Sequence, residues 1–261
     1  MPSLRAVLSQ LEPCQDGFAI DAPEGWTQGR TLYGGMTTAL CQAALHRALA
    51  PPAPLRSVQI AFAAPAAGRL VFRPNIVRQG RSSLVAAVDC EGETGPVARA
   101  TFVFAAARES LVHHDAAAAP AVAAPTDCPA FLPDEAPRPE FTRHFEVRLA
   151  AGARPGTGAA EAEFTAWVRF REDEGEDAVT ALLALGDCLP PAAIVQFPTP
   201  APLSSMTWSV DLHPPIPSGG WRLLRSSSEQ AADGYSLQGM ELWSQDGRRL
   251  AVGRQCVAYF I

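Results

Sequence analysis

The chain has 261 residues, 48% of them hydrophobic and 18% charged, with a net charge of −6. That length holds one large domain or two small ones with a substantial core, and the composition is globular rather than disordered. All 21 basic residues are arginine, which excludes Schiff-base, pyridoxal-phosphate and P-loop lysine chemistry, and the negative balance argues against a nucleic-acid partner.

The opening stretch MPSLRAVLSQLEPCQDG lacks a basic start followed by a long apolar run, so no secretory signal is expected. No apolar run approaches the roughly 18 residues needed to cross a bilayer, so no membrane span is expected and the location is read as cytoplasmic. Cys14, Cys41, Cys90, Cys128, Cys188 and Cys256 form no CxxC and no Cys/His cluster with zinc spacing. They are expected to be reduced, and the sequence asks for neither a metal nor a cofactor.

Gly34-Gly35 opens MTTALCQAALHRALA, whose alanines and leucines fall on adjacent helical faces until Pro51-Pro52 stops the helix. Strand patterns follow at LRSVQIAFA, RLVFRPNIVRQG, SSLVAAVDCEG and VARATFVFAA. Residues 109–139 are rich in alanine and proline and have no periodicity, as in an extended connection. His113 and His114 lie there with no third ligand nearby in sequence and read as a solvated loop. Beyond it the order repeats. The helix AVTALLALGDCL ends at Pro190-Pro191, and strands follow at SSMTWSVDLH, GWRLLRSSSEQ, YSLQGMELWSQ and RRLAVGRQCVAYF.

The punctuation of the two halves matches as well. Pro65, Gly80 and Phe104 correspond to Pro215, Gly234 and Phe260, and the turns EGETG and SQDGR fall between the last two strands of each half. Two tandem copies of one helix plus a meandering antiparallel sheet account for this. The expected fold is therefore α+β, with an N-terminal unit at 1–108, a linker at 109–139 and a C-terminal unit at 140–261. A helix apolar all round has to be enclosed by protein, which a curved sheet wrapped around it achieves. The central helices are expected at about 35–49 and 178–189.

The segments TLYGGMTTALCQAAL, VQIAFAAPAAGRLVFRPNIVRQGRS, LLALGDCLPPA, SSMTWSVDLHPPIPSGGWRLL and DGYSLQGMELWSQDGRRLAVGRQCV together resemble the double-hotdog acyl-CoA thioesterases of the bacterial acyl-CoA thioesterase II type. The resemblance covers nearly the whole chain outside the linker. It implies a tandem (double) hotdog that hydrolyses an acyl-CoA thioester with a water held by three polar side chains. An Asp of the second helix matches Asp187, a Thr of the next strand matches Ser205, and a Gln of the last strand matches Gln255. The strand carries Thr207 and Trp208 where the family has other residues, so Ser204 or Thr207 is an alternative source of the hydroxyl.

The chemistry suits these residue types. Thioester hydrolysis needs an oriented water, a base and donors for the developing oxyanion. Burial raises the proton affinity of a carboxylate towards a useful range, and a hydroxyl and an amide add complementary hydrogen bonds. Backbone N–H groups at Gly34-Gly35 are the expected oxyanion donors. Arg78, Arg81, Arg222 and Arg225 are candidates for the phosphates of CoA. The first helix has no carboxylate between Gly34 and Leu49, and the first-half counterpart of Gln255 is near Arg99. One chain is thus expected to hold one site, and a homodimer is expected because sheet edges remain to be paired.

Other readings stay open at this stage. Asp187 could be a capping contact near Pro190. A non-catalytic acyl-ligand binder or a hotdog enoyl-CoA hydratase would share the fold, although no histidine has an obvious acidic partner. An α/β serine hydrolase fits poorly because no GxSxG occurs.

Overall fold

A computed structural model describes residues 1–133, 135–172, 174–175 and 177–261, leaving Asp134 of the expected linker outside the described residues. The chain begins with helix α1 (Leu4–Ser9), capped by the Ser3 hydroxyl. Strands β1 (Glu12–Cys14) and β2 (Gly17–Asp21) and the short ribbon β3 (Thr27–Gln28) and β4 (Thr31–Leu32) precede helix α2 (Gly34–Leu49). Strands β5 (Leu55–Phe62), β6 (Arg69–Gln79), β7 (Ser83–Gly92) and β8 (Gly95–Ala105) complete the first half. The second half runs β9 (Phe145–Gly152), β10 (Glu163–Phe170), helix α3 (Ala178–Gly186), β11 (Leu203–Leu212), β12 (Arg222–Ala232), β13 (Tyr235–Ser244) and β14 (Arg249–Tyr259).

All strands but β3 and β4 form one twelve-stranded sheet in the order β1-β2-β6-β7-β8-β5-β11-β14-β13-β12-β10-β9, with antiparallel pairing throughout. The order is symmetric about the β5–β11 seam, where Thr207 to Asp211 pair with Ala61 to Ser57. Each half contributes the same set: two strands before its helix and four after it. The duplicated pattern of the sequence is therefore a duplicated topology.

The two long apolar segments form the expected helices. In α2, Gly35 through Leu45 are all buried. The helix ends where Ala50 takes a left-handed conformation just before Pro51-Pro52. In α3, Thr180 through Gly186 are buried, and the Asp177 carboxylate caps the first turn by accepting from the Val179 and Thr180 amides. α2 packs on α3 and also on β6 and β7. α3 stops one residue before Asp187, which is its C-cap, so the expected end at 189 is three residues too long.

The sequence pattern did not mark β2 or β10 as strands. β10 reads EFTAWVRF and is buried from Phe164 through Val168 without alternation. Both of its faces are covered, which removes the period of two that reveals a strand. The second covering layer comes from the linker. Residues 106–124 have no helix or strand, while the rest of the stretch expected as a linker at 109–139 holds a 3-10 turn at Pro125–Asp127 and a bridge from Ala130 to Arg148. Downstream, however, Cys128 packs with Trp167, Leu223 and Trp243 in a separate apolar cluster, joined by Ala119 and Val122. The Trp167 indole donates to Ala123 O at 2.9 Å. Phe131 N donates to Val147 O and Leu149 N to Pro129 O, so the linker also covers the outer edge of β9. The opposite edge strand, β1, is three residues long and carries Glu12 and Pro13, both of which discourage further pairing. All six cysteines are unpaired. No helix among the described residues is long and apolar enough to cross a membrane.

Candidate active site

Asp187 sits where α3 ends and α2 begins. Its side chain is almost fully buried, at 8% exposure. A carboxylate at a helix C-terminus faces the unfavourable end of the dipole, but here it also meets the N-terminus of another helix, where negative charge is favoured. The Gly35 N–H of α2 donates to it. A Cβ on Gly34 would lie 2.6 Å from Asp187 Oδ2, and one on Gly35 would lie 2.6 Å from Ala184 O and 3.1 Å from Asp187 Cβ. Neither glycine has positive φ. Both are needed for close approach, and what approaches is the second half of the same chain.

Tyr33 fixes this junction from the other side. Its buried hydroxyl donates to Ala184 O at 2.9 Å, satisfying a last-turn carbonyl that has no partner within α3. Its ring stacks on Phe141 at 4.2 Å and lies 6.3 Å from the Trp26 ring. Trp26 in turn stacks on His144 at 3.7 Å. Sequence reasoning did not single out Tyr33, although it directly precedes the glycine pair.

Gln255 connects the predicted residues. Its Nε2 donates to Asp187 Oδ1 at 2.7 Å and to Ser205 Oγ at 3.1 Å. The three residues expected to act together are thus in direct contact. The hydroxyl that meets Gln255 is that of Ser205 because of a β-bulge: Ser205 pairs with Val257 and Thr207 with Cys256, leaving Met206 unpaired. Val257 and Gln255 lie two apart on β14 and share a face, so the extra residue places Ser205 on the Gln255 side. Ser204 and Thr207 are exposed.

Behind Gln255 lies Gln238 of β13, paired with it across the ladder and only 1% exposed. Gln238 Nε2 donates to Gln255 Oε1 at 2.6 Å, and Gln238 Oε1 accepts from Ala192 N at 2.7 Å. Sequence reasoning missed it. In YSLQGM a single glutamine looks like a solvent-facing strand residue, and only the register shows otherwise.

Burial pushes the Asp187 carboxyl up to about 7, against the pull of the Gln255 and Gly35 hydrogen bonds. Burial likewise holds the Tyr33 hydroxyl and Cys188 thiol well above their usual values, so Asp187 is the group of this cluster that changes charge near neutrality.

A cavity of about 220 Å³ opens beside the cluster, lined by Tyr33, Gly34, Phe62, Val97, Ser205 and Met206 among others; of the three predicted residues Ser205 lines it, while Asp187 and Gln255 do not. It combines an apolar wall with a hydroxyl and a helix start. The ribbon residues Gln28 and Thr31 form its rim, and Arg30 stands exposed between them. The arginines chosen from sequence are elsewhere. Arg78 and Arg81 are exposed at the β6–β7 hairpin. The ladder runs from Arg78 through Val85, Val103 and Ser57 to Asp211. Asp211 lies six residues from Ser205, or about 20 Å along the strand. Arg222 is buried in an ion pair with Glu174, and Arg225 pairs with Glu163 and Glu241. Arg222 is thus committed inside the fold, and Arg225, partly exposed, is already held by two carboxylates.

Residues 22–105 match the model of the acyl-CoA thioesterase N-terminal domain and residues 125–259 that of the acyl-CoA thioesterase C-terminal domain. The chain belongs to the acyl-CoA thioesterase family, and is a thioesterase enzyme of that family. No match was found among curated proteins. A protein of unknown function with a hot dog fold from Alicyclobacillus acidocaldarius is 25% identical, with a TM-score of 0.85 over 98% of this chain and 97% of that one. The tesB protein of Mycobacterium avium subspecies paratuberculosis shares 17% identity and a TM-score of 0.81, covering 98% of each chain. An acyl-CoA thioesterase II, TesB2, from Mycobacterium marinum shares 20% identity with a TM-score of 0.76, over 97% of this chain and 96% of the other. The fold is thus the hot dog fold with a large antiparallel sheet.

Proposed function

We propose that the chain hydrolyses an acyl-CoA thioester to the free acid and CoA at a single site formed by Asp187, Ser205 and Gln255 together with the Gly34-Gly35 turn. The observation that carries this is the Gln255 amide, which bridges the Asp187 carboxylate and the Ser205 hydroxyl. An amide nitrogen has two hydrogens. With both engaged, Gln255 acts by aiming its two neighbours rather than by reaching the water itself.

In this reading Asp187 takes a proton from a water, which attacks the thioester carbonyl. Ser205 accepts from Gln255, which leaves its own O–H to donate to that water or to the carbonyl oxygen. The Gly34 N–H, at the first position of α2 and without a partner within the helix, supplies the oxyanion donor, while Gly35 serves Asp187. The C–S bond then breaks, and the thiolate leaves with the proton held by Asp187. No covalent intermediate and no cofactor is needed. The cavity of about 220 Å³ receives the acyl carbonyl, and Arg30, exposed in the turn between the lining residues Gln28 and Thr31, is the cation assigned to a CoA phosphate.

The architecture belongs to the same reading: two hotdog units, 1–108 and 140–261, each a helix held in a curved sheet, with 109–139 between them. A second copy of the chain is retained as partner, to be checked by light scattering. The ends of the sheet offer it little, so it would have to join through a face. The hydratase alternative draws no support from His144, whose Nε2 contacts Gly25 O at 3.1 Å while its ring is stacked on Trp26.

The deciding experiment is thiol release from short-, medium- and long-chain acyl-CoA by the wild type and Asp187→Asn. Turnover of at least one thioester by the wild type, lost in the variant, is the expected result. Turnover of none, or full retention by the variant, overturns the reading.

A further inference from the structure

We propose that Gln238 is a positioning residue that fixes which way round the Gln255 amide sits, and so decides that Asp187 and Ser205 face N–H groups rather than a carbonyl oxygen. The inference rests on the reading of Asp187 as the base and extends it to a residue that touches neither substrate nor water.

One donor in this network cannot change its role. A backbone N–H only donates. Pro190 and Pro191 have none, so Ala192 offers the next main-chain donor after Leu189 on the segment leaving Asp187. It donates to Gln238 Oε1 at 2.7 Å. The oxygen of Gln238 is thereby committed, and its Nε2 has to face Gln255, 2.6 Å away. Gln255 has to answer with Oε1, which turns its Nε2 towards Asp187 Oδ1 and Ser205 Oγ. Each link forces the next, and the chain closes a ring from Ala192 back to Asp187 five residues earlier.

Without Gln238, only the ionised Asp187 carboxylate holds the Gln255 amide this way round, and a protonated Asp187, which can donate to a carbonyl oxygen, no longer does so. Flipped, it would present a carbonyl oxygen to a carboxylate and to the acceptor side of a hydroxyl. Both glutamines are buried, at 1% and 5% exposure, so water cannot readily stand in for the lost partner. The other titratable groups facing Asp187 are Tyr33 and Cys188, whose proton affinities lie well above their usual values. A change in the pH profile therefore reports on Asp187.

The test compares kcat, KM and the kcat–pH profile of six full-length proteins on the acyl-CoA that the wild type turns over fastest. These are the wild type, Gln238→Met, Gln238→Glu, Gln255→Leu, the double variant carrying Gln238→Met and Gln255→Leu, and Asp187→Asn. Gln238→Met keeps the side-chain length but holds nothing in register. It should lower kcat by about 10–100-fold, the usual scale for losing a partner that orients a site residue. KM should stay within about twofold, and the acid limb should move to higher pH because Asp187 has lost a fixed donor. Added to Gln255→Leu, it should cost nothing further. Gln238→Glu, which can donate to Gln255 only while protonated, should be active on the acid side and lose activity on the alkaline side, where the wild type is most active. This variant also keeps the question answerable if Gln238→Met does not fold. Unchanged kcat and acid limb in both Gln238 variants, with Asp187→Asn inactive, would overturn the positioning role alone. An active Asp187→Asn would overturn the reading of the site and this role with it.

Discussion

Asp187 Oδ2 lies 2.6 Å from the point where a side chain on Gly34 would begin. One residue belongs to the second half of the chain and the other to the first, and each limits what the other can be. Gly34 is helical, without positive φ, so Gly34→Ala meets no backbone penalty and its effect falls on Asp187 and on Phe62, 2.9 Å from the same point. We expect kcat to drop about tenfold or more while Tm moves little. Gly35→Ala differs, because it meets the Ala184 carbonyl, which is backbone. That variant should lose about 1–3 kcal/mol of stability from overpacking, seen in urea denaturation.

The carboxyl at about 7 sets two opposite pH dependences. A base has to be ionised, so kcat should rise with pH through a midpoint near 7 and reach a plateau above it. The contribution to folding runs the other way. A carboxyl raised above its unfolded value stabilises the fold fully below that unfolded value, and the contribution is lost as pH rises through about 7. Asp187→Asn should therefore lose about 10²–10⁴-fold in kcat and yet melt higher than the wild type at pH 8. A capping role predicts the reverse: a lower Tm with kcat retained. Calorimetry and steady-state kinetics on one preparation separate the two.

Ser205→Ala and Thr207→Ala make a matched pair. Both remove a hydroxyl from β11, two positions apart. Only Ser205 reaches Gln255. Ser205→Ala should reduce kcat about tenfold or more, whereas Thr207→Ala should stay within about twofold of the wild type. Equal losses would mean that the bulge at Met206 does not set the face.

His144 is held below its usual proton affinity, mainly by burial. Protonation therefore favours the unfolded chain. Its contribution to stability is complete above the ordinary histidine value and declines as pH falls through it. His144→Gln should flatten the fall of Tm between pH 7 and 5, measured by thermal scans across that range.

The linker should not respond uniformly to protease. Residues 109–118 lie before the apolar cluster that takes in Ala119, Val122 and Cys128. Limited proteolysis should cut within 109–118 first and spare 119–131. Trp167→Ala, which removes an aromatic member of the cluster and the donor to Ala123 O, should extend cleavage into 119–131.

Much of this was legible in the sequence because it rests on local rules. Proline pairs stop α2 and end the α3 segment, and period-two alternation marks β5, β8 and β13. The duplication itself gave the symmetric strand order. Asp187 and Gln255 could be named because an acid after an apolar helix and an amide in the last strand match the family pattern in order. What escaped depends on register and on contacts between distant segments. Counting alternate residues back from the buried Trp208 leads to Met206 and Ser204, and one unpaired residue shifts the answer to Ser205. β10 was hidden because the linker covers its second face. Gly34 and Gly35 were expected to donate to a substrate oxyanion, and their close approach to Asp187 and Ala184 could not be read from the sequence. Arg222 and Arg225 looked like free cations until their partners Glu174, Glu163 and Glu241 were in view.

The β5–β11 seam carries a further consequence. In a symmetric pair of separate subunits, that seam would form and dissolve with dilution, and every mutation would appear on both sides of it. Here both sides are on one strand of peptide, so the meeting of Gly34 with Asp187 is an intramolecular event governed by tether length rather than by protein concentration. Specific activity arising from this junction should be constant down to the lowest enzyme concentration assayed. The two helices are correspondingly unlike: α2 carries no acid and presents Gly34 and Gly35 to the one that follows α3 in the same chain.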